Sequence, residues 1–89
     1  MSLSTQQRLE QLLQQLHPVQ LQVTDDSHLH AGHAGNTGGG HFTVVIVSEV
    51  FEGLPLIKRH RLVYEAAADL LPSVIHALSI RAKTPAELN

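Results

Sequence analysis

Leu9, Leu12, Leu13 and Leu16 recur at i, i+3, i+4 and i+7 with glutamines and charged residues between them, so the spacing predicts an amphipathic helix with its leucines on one face. Ser4 is placed to cap that helix and Pro18 to stop it. The period then shortens to two. Val19, Leu21 and Val23 alternate with Gln20, Gln22 and Thr24, the pattern of a strand with one buried face, and Asp25, Asp26 and Ser27 end it as turn formers. From Phe42 to Val47 the run FTVVIV is apolar and β-branched on both faces, which suits a central strand or one covered on both sides. Phe51, Glu52 and Gly53 read as a turn, and Pro55 fits the first turn of a second helix whose buried stripe is Val63, Ala66, Ala67 and Leu70. Pro72 breaks that helix or starts a short further turn. His76 to Ala82 alternates again as a third strand, and Thr84 with Glu87 three residues later can cap a terminal helical turn. The order α-β-β-α-β contains no repeat and no interdomain linker. A single α+β domain over residues 1–89 is expected, with two layers: helices on one face of a three-stranded sheet, and short extra helical turns after the second helix and at the C-terminus.

Composition narrows what such a domain can do. A chain of 89 residues buries only roughly 60% of the surface its unfolded form exposes, so a surface site or a partner's surface is favoured over an enclosed active site. With no cysteine there is no disulfide framework, no thiolate nucleophile and no self-contained thiolate cluster. Apart from Tyr64, spacing assembles no nucleophile or paired carboxylate set beside the histidines, and an enzyme is not expected. The start MSLSTQQRLEQ lacks the charged n-region and apolar h-region of a signal peptide, and no apolar run approaches the roughly 20 residues of a membrane helix. The expectation is a cytoplasmic protein without a membrane partner. A net charge of −2 argues against strong non-specific attraction to a polyanion.

The stretch HLHAGHAGNTGGGH, residues 28–41, holds four of the seven histidines and five of the six glycines. Imidazole is the commonest metal-binding side chain and changes charge between about pH 5 and 8. The spacing His28, His30, His33 matches no defined zinc pattern, however, and a glycine-rich loop must lose conformational freedom on binding. Each loop histidine therefore also reads as a solvated side chain. A GxxG pattern at Gly35 to Gly38 lies between two strands, whereas KH domains clamp nucleic acid with such a loop between two helices. His76 is similarly open: counting by two from Leu78 and Ile80 puts it on their apolar face, where it is either a core histidine bonded to backbone or a ligand.

The segments LQVTDDSHLHAGHAG, HFTVVIVSEVFEG, KRHRLVYEAAADLLPSVIHALSI and TPAE, in this order and spacing, resemble the BolA family, with RHRLVY and IHAL the most specific pieces. The resemblance implies the class II KH-like α-β-β-α-β fold. It also implies a non-enzymatic adaptor that pairs with a monothiol glutaredoxin, both as an apo complex and bridged by a [2Fe-2S] cluster, in cluster trafficking or iron and redox regulation. In the bridged complex the glutaredoxin cysteine and glutathione supply sulfur, and the BolA chain supplies one histidine from the loop between the first two strands and one near the start of the last. By motif the second is His76; the first is His30, three residues after Ser27, with His33 as its substitute because GHAG adds a histidine many relatives lack. Replacing thiolate by neutral imidazole changes a cluster's net charge and raises its reduction potential. The isolated chain is expected to be a monomer or weak dimer without the cluster.

Lys58, Arg59 and Arg61 surround His60 at the start of the second helix, with Arg81 and Lys83 on the last strand. One reading is a solvated face helped by an Arg61–Glu65 pair at i, i+4. Positive charge at a helix N-terminus is unfavourable with the helix dipole, which points instead to glutathione carboxylates, an acidic partner surface or phosphates. The resemblance includes DNA-binding transcriptional regulators of stress and morphology responses that use this second-helix to third-strand region. DNA contact through these residues is accordingly the alternative function.

Overall fold

The computed structural model describes residues 3–27, 40–71 and 73–88. The first helix, α1, spans Thr5–Leu13. Ser4 accepts from the Gln7 backbone N–H at 3.1 Å while the Gln7 side chain accepts from the Ser4 N–H at 2.9 Å, a reciprocal cap that satisfies two donors left over at the helix start. The chain tightens into a 3-10 turn over Gln14–Leu16 and leaves it through His17 in the left-handed region, φ 50, just before Pro18. Strand β1 covers Gln20–Asp25 and strand β2 Gly40–Val47. A 3-10 turn at Glu49–Phe51 and Gly53, at φ 78, lead into helix α2, Leu56–Ala66. A further 3-10 turn at Ala68–Leu70 precedes strand β3, Ile75–Lys83, and the last turn is Pro85–Leu88. Pro72 lies outside the described residues.

The sheet order is β1-β2-β3. β1 runs antiparallel to β2, from Gln20 opposite Val47 to Asp25 opposite Phe42; β3 runs parallel to β2, from Phe42 opposite Leu78 to Val47 opposite Lys83, because α2 carries the chain back. One sheet face, formed by Val23, Phe42, Val44, Ile46, Leu78 and Ala82, meets Leu9, Leu13 and Leu16 from the first helical segment and Val63, Ala66, Ala67 and Leu70 from the second, with Phe51 fully buried among them. The α+β order, the two-layer arrangement and the extra helical turns are those the sequence pattern indicates. Among the described residues no helix is long and apolar enough to cross a membrane.

Three details differ from the pattern reading. Val19 is 60% exposed and precedes β1, whose buried contribution narrows to Val23 with Leu21 half-buried, because β1 is an edge strand. The second face of β2 is half-buried at Thr43 and Val45 and closed only at its end, by Val47, so its apolar character reflects a central position more than cover along both faces. Arg61 and Glu65 do not pair.

Candidate functional site

The ends of β1 and β2 are stitched together at His41. The Asp26 N–H donates to the His41 carbonyl at 2.7 Å, and the His41 N–H donates to the Ser27 hydroxyl at 3.0 Å. Ser27 is itself held in a turn by its N–H on Asp25 Oδ1 at 2.9 Å, and the Thr43 hydroxyl donates to Asp26 Oδ2. On the other side the Gly40 N–H donates to the Val74 carbonyl at 3.1 Å, and a Cβ at Gly40 would lie 2.6 Å from the Phe42 ring. Only glycine lets the backbone pass this close.

Next to this junction the β2–β3 ladder slips. Gly40 pairs with Ile75 but His41 pairs with Ala77, so His76 is the extra residue of a β-bulge. The slip breaks the alternation: Ile75 is buried, His76 and Ala77 are both exposed, and Leu78 is buried again. This removes His76 from the core position that counting by two gave it. The imidazoles of His76 and His41 instead stand with ring centroids 5.7 Å apart, at a tilt of 31°. Sequence reasoning missed His41. Its signal was its place beside the start of an apolar strand at the end of the histidine run, but the pairing depends on register across two strands. His28, His30, His33 and the GxxG pattern lie outside the described residues. Among the described residues no group of three or more His, Asp or Glu side chains could hold a metal ion, so the pair offers at most two nitrogens.

The basic segment sits at the opposite end of β3, and there one residue must be corrected. Arg59, expected among the surface cations, is buried. Its Nε donates to the Leu54 carbonyl at 2.8 Å and its Nη1 to the Ala82 carbonyl at 3.0 Å, while Nη1 and Nη2 grip the Glu87 carboxylate at 2.7 and 3.0 Å. The guanidinium, with help from the Thr84 N–H at 2.8 Å, holds the Glu87 carboxyl at about 2. The capping role of Glu87 toward Thr84 is thus present, with Arg59 as a second partner that spacing did not reveal. Lys58, Arg61, Arg81 and Lys83 are exposed, and His60 is half-buried beside α2's first turns.

A three-stranded mixed sheet carrying two helices on one face, with imidazoles at one end of the parallel pair and cations at the other, defines a small α+β module with surface sites. The family model for BolA-like protein matches residues 12–87. The chain is 51% identical over 82 residues to Protein BOLA1, chloroplastic, of Arabidopsis thaliana, covering 88% of this chain and 51% of that protein. It is 52% identical over 85 residues to SufE-like protein 1, chloroplastic/mitochondrial, of the same plant, covering 89% of this chain and 23% of that protein. The solved BolA domain of SufE1 from Arabidopsis thaliana superposes with a TM-score of 0.83 at 49% identity, over 97% of this chain and 99% of that one. The chain belongs to the BolA-like family. It spans about a quarter to a half of the length of these curated relatives.

Proposed function

We propose that this chain is a non-enzymatic adaptor that docks on a monothiol glutaredoxin and donates histidine nitrogen to a [2Fe-2S] cluster held between them. The observation that carries this reading is the His41–His76 pair, two imidazoles brought side by side at a β-bulge, His76 exposed and His41 half-buried. His76 is the donor held by the sheet. His30, or His33 in its place, is the loop donor, and His41 is a further imidazole at the loop's fixed end. Two nitrogens do not close a metal site, which suits a chain that completes a centre begun elsewhere, with thiolates from the partner cysteine and glutathione. Such a cluster supplies one-electron chemistry at a potential raised by imidazole ligation. Bulges recur where a side chain is re-aimed for function.

The test is to mix the chain with a monothiol glutaredoxin, glutathione, iron and sulfide, and to follow a heterodimer with its own visible absorption. His76→Ala abolishes the histidine-ligated spectrum, whereas His30→Ala, His33→Ala and His41→Ala each weaken it by degrees. An unchanged spectrum in the variant lacking all four histidines removes histidine ligation altogether.

A further inference from the structure

Where β3 ends, a groove of about 420 Å³ opens between the first turns of α2 and the free edge of the strand, lined by Leu56, His60, Ile80, Arg81 and Lys83. Leu56 is 64% exposed and Ile57 beside it 69%, the most exposed large apolar side chains among the described residues. Neither serves the core, which α2 meets through Val63 and Ala66. Arg59 at the groove's end is already neutralised by Glu87, but Arg81 and Lys83 are exposed and, among the described residues, have no ion-pair partner. The surface thus combines apolar area with uncompensated positive charge, whose complement is a surface of carboxylates and apolar side chains.

Two further observations select the occupant. Two outward carbonyls of β3 already serve side-chain donors: Tyr64 Oη donates to the Leu78 carbonyl at 3.2 Å and Arg59 to that of Ala82. An extended peptide adding as a fourth strand would compete with both of these side chains, which favours a ligand that enters by its own side chains, as a helix does in a groove. Nucleic acid fits less well. Of the three Phe and Tyr rings, Phe42 and Phe51 are buried and Tyr64 has its hydroxyl bonded to β3, which leaves one ring for stacking single-stranded bases.

We propose that this groove is a second docking site, for a short acidic amphipathic helix of a partner protein. Its apolar side chains lie on Leu56 and Ile80 and its carboxylates meet Arg81 and Lys83. His76 and Lys83 stand seven strand residues apart, about 23 Å at the usual rise, so the histidine end and the groove can be occupied together.

The test titrates the full chain with a synthetic helix carrying leucines on one face and glutamates beside them, followed by backbone NMR shifts. The expected perturbations fall on Leu56, Ile57, His60, Ile80 and Arg81 and spare His41 and His76. Arg81→Glu with Lys83→Glu weakens binding at least about tenfold, and Leu56→Ser, an exposed change that leaves the fold intact, weakens it several-fold. A peptide with serines for leucines serves as control, and duplex DNA as the competing class. Equal binding of the serine peptide overturns the proposal. So does DNA binding that is tighter and insensitive to Leu56→Ser, and so does absence of any shift in the groove at saturating leucine peptide.

Discussion

Arg59 joins four acceptors with one rigid fork: two backbone carbonyls and both oxygens of Glu87. A lysine, as a point charge on a flexible stem, cannot meet all four. The carboxylate end of this contact carries a pH signature. Glu87 sits at about 2 in the fold against an ordinary 4.5, so the contact is fully present above the unfolded value and is lost as pH falls from 4.5 toward 2. Thermal unfolding of wild type and Glu87→Gln should therefore differ most at neutral pH and converge in acid; a gap independent of pH would show that the carboxylate's charge is not what stabilises this end. The residue scale is also where sequence reading fell short. Arg59 lies in a run of basic residues that all look exposed, and nothing in the local pattern marks it as the one aimed inward. Glu87 was legible as a cap for Thr84 because that relation is local, whereas its bond to Arg59 spans 28 residues.

At the scale of elements, β1 and β2 differ in kind, as their sequences do, β1 alternating and β2 apolar on both faces. β2 is central and paired on both sides, whereas β1 is an edge whose outer carbonyl at Val23 is covered by the Gln6 side chain at 3.1 Å. The Asp26–His41 bond fixes the phase of that ladder, so the backbone N–H and C=O groups of Gln22 and Thr24 point at β2 while those of Leu21 and Val23 point away from it. Amide exchange should be slowest from Phe42 to Val47, and along β1 it should alternate, fast at Leu21 and Val23 and slow at Gln22 and Thr24. Uniform protection along β1 would contradict this register. The leucine stripe of α1, the Val63 to Leu70 stripe and the strand periods were all readable, because each reports one element's own buried face. The bulge at His76 was not: it is a mismatch between two strands, and counting by two along one of them assumes it away.

The whole molecule is a thin two-layer body, 40 by 30 by 21 Å, and its core is correspondingly small. Phe51 is fully buried in this core, so truncating its ring removes packed apolar volume and leaves a cavity. Phe51→Ala should cost about 3–5 kcal/mol in urea unfolding, a large fraction of the stability of a domain this size; a cost under about 1 kcal/mol would place Phe51 outside the cooperative core. The parallel pairing of β2 with β3 has a consequence for the order of events in folding. His41 and His76 are 35 residues apart in the chain and meet only when β3 closes on β2 across the whole of α2. The α1 cap joins near neighbours and can form early, but this closure carries a larger entropy cost and belongs to the slow, high-contact-order part of the landscape. A chain halted before that step presents separate imidazoles, so the capacity to offer two adjacent nitrogens is itself a certificate that folding has finished.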